Sequence, residues 1–504
     1  MSVSRMLLAA ASAFIVAASA QAYPGKPVPQ DDRVFTAFVE EFEGPGQIPP
    51  LPPFETIRVQ DIDSEGAIYR YEVPVGPVPW NGRLVMYAHG FRGCVADPAT
   101  GALVPLTVDD PPLRQYYLSQ GYAWAASRYA KNCYDVKDGV ESTNRLWRIF
   151  AREQGKPEKT LITGFSMGGH VTGAAIEMFP NIQCPDGRRG RICERFARIL
   201  GKLSGGVEYH GAAPACGVMG DEALFDYFGD FGYGAEALAR LAGAPIESQF
   251  PPPDDYQSST LGPVLFTLFE NGNIFTDPAL PPVTPTPAGE KLRELTRVIS
   301  GGERPIFDFA FTGFLPLLFS FAGSDGTVDG VVSGNIYDNI GKVYQLDASP
   351  ELTPDEQALN DTILRLRQNP RVNQRRFLQL ERVPVITGRI SIPVISTHTL
   401  GDLFVPFSMQ QIYAREVEAQ GRSEYLVSRA TRAISHCEFS SGELIRTFDD
   451  LVEWVETGSK PAGDPILDAE AVANPLFGCR FTEGATGVTP AALRDARGRC
   501  DLVR

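Results

Sequence analysis

The chain has 504 residues and a net charge of −15, long enough for a large core or for one catalytic domain carrying a long insertion. The acidic balance argues against a phosphate-backbone partner, because nucleic-acid binding needs clustered Lys and Arg to displace counterions. It carries eight cysteines but no Cys-x-x-Cys pair, so zinc and thioredoxin-like readings have little support.

Residues 1–22 have the form of a secretory signal: Arg5, an apolar run from Met6 to Ala18, and Ala20-Gln21-Ala22 as a small-x-small site, with cleavage expected before Tyr23. The run is short for a membrane span, and no later stretch reaches about 18 uninterrupted apolar residues. The mature protein is therefore expected to be exported, periplasmic or extracellular, with no membrane span. Thr56–Gln60 and Ile68–Val73 alternate in polarity around Ser64-Glu65-Gly66, which predicts an antiparallel hairpin. Strands are then predicted at 83–89, 122–128, 159–165, 199–205, 391–397 and 424–429. Helices are predicted at 112–119, 139–154, 168–178, 407–419 and 440–457. Strands separated by helices of that length imply a mainly parallel sheet covered on both faces, with its site at the strands' C-terminal ends.

The alternation fails over 207–388, where Pro- and Gly-rich turns, short helical patterns and aromatic clusters predict an inserted lid. Its stretch Phe307 to Phe319 is the most apolar part of the mature chain. It fits the lid's own core, with a wall of an acyl pocket or an interfacial surface as the other readings. A tail over 459–504 reads as a stapled extension. Short-loop pairing suggests Cys184–Cys193 and Cys479–Cys500. Strand ends suggest Cys94–Cys133, which leaves Cys216 for Cys437.

Gly164-Phe165-Ser166-Met167-Gly168 follows the apolar run Thr160 to Thr163 and precedes a helix-like stretch. A serine between two glycines at a strand-to-helix junction forms a tight turn that lifts its hydroxyl clear of the sheet. The same turn aims the Met167 backbone N–H at any oxyanion formed on an attacked acyl group. Upstream, the strand 83–89 runs into His89-Gly90-Phe91-Arg92-Gly93, a turn able to present a second donor, Phe91 N–H, with Arg92 as the neighbouring choice.

A serine hydroxyl needs a positioned base, and the base needs a carboxylate to hold its tautomer. Of the five histidines, His89 reads as packing in the turn after its strand, His170 as facing away one turn into the helix after Ser166, and His210 as opening the insertion. His398 near a strand end is the rival, and His436, in the loop before the last long helix, is the assigned base. Asp402, in the turn after strand 391–397, is the assigned acid, with Glu438 as a fallback carboxylate. The order Ser166, Asp402, His436 resembles the α/β-hydrolase superfamily over roughly 56–206 and 389–458, and on that resemblance an eight-stranded, mostly parallel sheet is expected. In layout the chain is also similar to the exported tannase and feruloyl esterase group. It departs from that group in having Phe165 where their serine-adjacent cysteine stands, although Cys437 does follow the histidine.

The expected domains are thus a catalytic unit over 23–206 and 389–458, a lid over 207–388 and a tail over 459–504. The expected activity is ester hydrolysis through an acyl-enzyme, on a small or polymeric ester, with neither cofactor nor metal. A prolyl-oligopeptidase-like peptidase, a β-diketone hydrolase and an inactive binding scaffold are the alternatives.

Overall fold

The computed structural model describes residues 46–48, 50–92, 108–177, 206–277, 280–374 and 380–502. The expected signal segment, the strand at 199–205 and cysteines 94, 184 and 193 lie outside the described residues.

Among the described residues, nine strands form one sheet. They are β1 (Gly46–Ile48), β2 (Glu55–Ile62), β3 (Ile68–Gly76), β4 (Arg83–Ala88), β5 (Ala123–Ser127), β6 (Lys159–Phe165), β7 (Gly211–Ala215), β8 (Val394–Thr399) and β9 (Leu426–Thr431). The spatial order is β1-β2-β3-β5-β4-β6-β7-β8-β9. The pairs β1/β2, β2/β3 and β3/β5 are antiparallel and the rest parallel. The short edge strand β1 takes the count beyond the eight expected.

The hairpin turn between β2 and β3 is closed by Asp63 Oδ1, which accepts from Glu65 N and Ala67 N. Arg145 Nε holds its other oxygen at 2.6 Å. Helices α1 (Arg114–Ser119), α2 (Val136–Glu153) and α3 (Met167–Glu177) connect the first parallel strands. The start of α2 is capped by Asp135, whose side chain accepts from Asp138 N.

The strand following β6 in the sheet is Gly211–Ala215, inside the stretch expected to be insertion. Gly-Ala-Ala-Pro-Ala carries no β-branched or aromatic residue and reads as a turn. Its smallness is set by packing, because a Cβ on Gly211 would lie 2.7 Å from Val455 Cγ2 of a covering helix. The chain therefore leaves the sheet after Ala215 and returns to it at Val394.

Between these two points lie α4 (Ala223–Leu241), α5 (Gly262–Leu268), α6 (Pro287–Ile299), α7 (Phe307–Ser320) and α8 (Pro354–Thr362). The apolar stretch from Phe307 forms α7, which buries Phe307, Phe311, Leu315, Leu318 and Phe319 against its neighbours. Beyond β8, α9 (Ser408–Ala419) and α10 (Ser441–Thr457) complete the layers. The latter is started by a reciprocal capping box between Ser440 and Glu443. No helix among the described residues is long and apolar enough to cross a membrane.

Candidate active site

Ser166 stands between β6 and α3 with φ at +59°, a left-handed conformation that costs a non-glycine residue about 1–3 kcal/mol and persists only where its surroundings enforce it. Those surroundings are close. A Cβ on Gly164 would fall 2.0 Å from Gly168 O, and one on Gly168 would fall 2.1 Å from Ala88 O. Glycine is obligatory at both places. Ser166 N donates to Ala215 O at 3.2 Å, and Ser166 O accepts from Gly169 N and Val218 N. Met167 opens α3, so its amide belongs to the positive end of that helix. The strand order and this turn decide the architecture. This is the α/β-hydrolase fold.

The turn after β4 abuts the same point, for a Cβ on Gly90 would lie 3.2 Å from Ser166 Cβ. His89 holds that turn. Its ring stacks on Tyr129 at 3.9 Å, with Nδ1 2.7 Å from Gly90 O and Nε2 3.0 Å from Arg128 O. Burial lowers its pKa well below the ordinary range, with Arg92 acting in the same direction. Phe91 and Ser166 line one cavity, whereas the Arg92 side chain turns to Asp109 at 2.7 Å.

Asp402 and His436 are in contact: Nδ1 of the imidazole lies 2.6 Å from Oδ2 of the fully buried carboxylate. The other oxygen, Oδ1, accepts from Phe404 N and Val405 N, each at 3.0 Å. Phe404 also sets its ring edge-on to the imidazole at 5.0 Å. The Nε2 atom of His436 lies 3.3 Å from Cys437 Sγ and is not hydrogen-bonded to Ser166.

What ties the histidine loop to the serine turn is the Cys216–Cys437 disulfide, with a Cα–Cα separation of 5.3 Å. Cys216 follows Ala215, the acceptor of the Ser166 amide, and both half-cystines share the left-handed backbone of the serine, at φ +44° and +55°. Cys216, His436 and Cys437 form the one metal-like cluster among the described residues. Because the sulfurs are bonded to each other, no thiolate is available to an ion. Cys479–Cys500 is present as expected, and Cys133 is disulfide-bonded as well, although its expected partner Cys94 lies outside the described residues.

The other histidines are built into packing. His398 is fully buried, with Nε2 on Val405 O at 2.8 Å, and burial lowers its pKa despite Asp402 nearby. His170 sits between Tyr134 Oη and Pro384 O and is driven down to about 4 by burial. His210 Nδ1 accepts from Thr160 N.

Glu438 does not approach the imidazole. Its carboxylate accepts from Ser435 N, Val488 N, Thr489 N and Thr489 Oγ1, with Thr486 Oγ1 also in contact. Thr489 Oγ1 in turn accepts from Ile434 N at 2.7 Å. The tail is thus clamped to the loop bearing His436, a role that no local pattern in the sequence could reveal.

The cavity in front of Ser166 has a volume of about 120 Å³. Phe228, Phe321 and Phe404 stack along one side, with centroids 4.3 Å apart for Phe228/Phe321 and 5.8 Å for Phe321/Phe404. The α7 helix supplies none of the lining residues, so the most apolar stretch of the sequence packs in the hydrophobic core rather than forming a wall of this cavity.

No family model matches the chain. It is similar to an o-phthalyl amidase of Xanthobacter agilis, at 24% identity over 88 residues, and this match spans 18% of the chain and 19% of that protein. Among solved structures it is similar to feruloyl esterase B from Aspergillus oryzae, at 12% identity, with 86% of each chain covered and a TM-score of 0.43. It is similar to the rice cell wall degrading esterase LipA from Xanthomonas oryzae, at 15% identity, with 75% of this chain and 82% of that one covered and a TM-score of 0.31. The chain also covers 38% of an acylaminoacyl peptidase, at 10% identity, which covers 76% of this chain with a TM-score of 0.33.

Proposed function

We propose that the protein is an exported serine hydrolase that cleaves carboxylic esters through an acyl-enzyme on Ser166. The observation that carries the reading is the 2.6 Å Asp402–His436 contact, held by a disulfide beside a strained serine that opens into an apolar cavity. His436 Nε2 takes the Ser166 proton as Oγ attacks the ester carbonyl carbon, and the carbonyl electron pair moves to oxygen. The amides of Phe91 and Met167 receive that oxyanion. On collapse the C–O bond to the alcohol breaks, and His436 returns the proton to the leaving alkoxide. Water, deprotonated by His436, then releases the acid and regenerates Ser166. Asp402, unable to leave its buried site, keeps the Nδ1 proton in place and stabilises the imidazolium at each half-reaction.

Export is supported by the disulfides, which persist in oxidising compartments, and by the signal-like form of residues 1–22. We read the stretch between Ala215 and Val394 as the module that shapes the acyl pocket. Amide cleavage is the second reading, favoured by the similarity to an amidase. Kinetics on p-nitrophenyl esters beside p-nitroanilides, for the wild type and Ser166→Ala, decide between them. Ester turnover abolished in the variant is the expected result. Faster anilide than ester turnover would move the assignment to amides, and undiminished turnover in Ser166→Ala would refute both.

A further inference from the structure

A buried carboxylate is costly unless an opposite charge compensates it, yet among the described residues no lysine or arginine touches Asp402. Its neighbours are His436 and His398, whose Nε2 stands 4.0 Å from Oδ2, and burial keeps His398 from charging. Arg304, in the connection between α6 and α7, has the mirror-image deficit. It is 3% exposed, and its donors go to Leu400 O at 2.7 Å, Gly302 O at 2.8 Å and Ser300 Oγ at 3.0 Å, with the guanidinium over the Phe307 ring. Glu303, next to it in the chain, is bound to Arg297 at 3.1 Å. Burial pushes Arg304 down to about 10, assisted by Arg297 and opposed by Tyr227, Glu303 and Asp402, so it stays charged at neutral pH.

The connection that carries Arg304 is fixed in one shape. Ser300 O accepts from Ser408 N at 3.0 Å, and a Cβ on Gly301 would lie 3.1 Å from that same nitrogen. Ile306 closes the connection at φ +77°, a left-handed conformation that a β-branched side chain adopts only where the surroundings enforce it. What this shape delivers is the guanidinium to Leu400 O, two residues before Asp402. The amides of the same turn are already spent, Leu400 N on Thr431 O and Gly401 N on Ala433 O. Tyr227 Oη of α4 grips the turn beyond Asp402, donating to Leu403 O at 3.0 Å. Of the two grips that reach the turn from between β7 and β8, that of Arg304 carries a charge.

We propose that Arg304 is a positioning residue of the reaction: it fixes the turn that aims Asp402 at His436, and it is the buried positive charge against which that carboxylate stays ionised. This rests on the ester-hydrolase reading and adds to it a residue from the chain between β7 and β8. Arg304 does not line the cavity, so it acts through Asp402 and not on the substrate. The titratable and charged groups around the two are His436, His398, Tyr227, Glu303 and Arg297. Burial holds His398 and Tyr227 neutral, and Glu303 and Arg297 pair with each other. Removing the cation favours the protonated forms, so activity that needs Asp402 ionised and His436 neutral fades at a higher pH.

The test uses the purified full chain, a p-nitrophenyl ester and two variants: Arg304→Gln, which keeps a donor for Leu400 O without the charge, and Arg304→Lys, which keeps the charge. In Arg304→Gln, kcat per folded molecule is expected to fall about tenfold or more with KM unchanged. The acidic limb of its kcat/KM profile should move to higher pH by about half a unit or more. Arg304→Lys should leave the limb in place and recover several-fold of the lost kcat. A Gln variant with wild-type kcat and an unmoved limb overturns the proposal, and so does a loss confined to KM. A loss shared equally by the two variants, with the limb unmoved, overturns it too, because a structural defect alone acts that way. Should Arg304→Gln not fold, Arg304→Met, which keeps the packing on Phe307, is read in the same way. Wild-type turnover beside indifferent Arg304 variants removes only the role of Arg304. No turnover of any ester by the wild type, with no fluorophosphonate label on Ser166, means that the underlying reading has failed and this one with it.

Discussion

Replacing Asp402 by Asn is the perturbation whose outcome the geometry constrains most tightly. The carboxylate spends Oδ1 on the amides of Phe404 and Val405 at 3.0 Å and Oδ2 on His436 Nδ1 at 2.6 Å. An asparagine keeps the two backbone partners only by placing its carbonyl at Oδ1, which leaves its NH₂ facing Nδ1. The imidazole must then accept at Nδ1 and carry its proton on Nε2, where it can no longer receive one from Ser166. A loss on the order of 10⁴ in kcat is expected, the scale seen when a triad histidine is forced into the wrong tautomer. KM should change little, because nothing lining the cavity moves. Folding should survive, whereas Asp402→Ala strands the part-buried amide of Phe404 and the buried amide of Val405, the latter at about 1–3 kcal/mol. Steady-state kinetics with a p-nitrophenyl ester, beside thermal melts of both variants, measure all three expectations. A kcat within tenfold of wild type, in an Asn variant that melts normally, would refute the tautomer argument.

The remaining expectations concern what holds the site in place. Serine at both Cys216 and Cys437 opens a link between residues 221 positions apart, so a loss on the order of 4 kcal/mol is expected. Activity per folded molecule should fall with it; kinetics and melts on the double variant, each unchanged, would deny the link both roles. Thr489→Val leaves Ile434 N and one Glu438 lone pair unmatched, for about 1–3 kcal/mol. It should lower kcat more than it alters KM, with Thr489→Ser restoring it, and equal kinetics in the Val variant would show the tail to be a bystander. Burial raises Glu177 from 4.5 to about 7, against three hydrogen bonds from Thr387 and Gly388. The folded state thus holds the proton more tightly than the unfolded chain, so the stabilisation is complete below about pH 4.5 and is lost as pH rises to about 7, on the order of 3 kcal/mol. Melting temperatures of the wild type relative to Glu177→Gln should fall across that window, and a flat difference would contradict it.

The serine turn was legible in the sequence because its geometry is enforced locally: Gly164 and Gly168 each face backbone at about 2 Å, and nothing larger fits. The meeting of Asp402 and His436 was legible because a parallel sheet gathers the loops after its strands at their C-terminal ends. The strand β7 was not, since its small residues answer to Val455 far along the chain. Nor was the pocket. Phe228, Glu236 and Phe321 come to line one cavity only when the segment between β7 and β8 folds back, and their spacing reads as ordinary helix or loop. Glu438 illustrates the same limit, for a carboxylate two residues from the proposed base His436 looks functional in sequence, yet its partners are Thr486 to Thr489 of the tail.

The central claim is that one activated hydroxyl becomes covalently acylated, and trapping it with a fluorophosphonate probe tests it most directly. Intact-mass and peptide analysis should find one label per chain, on the peptide bearing Ser166, and none after Ser166→Ala. Ester turnover with that serine unlabelled, or a label that persists in the variant, would contradict the account.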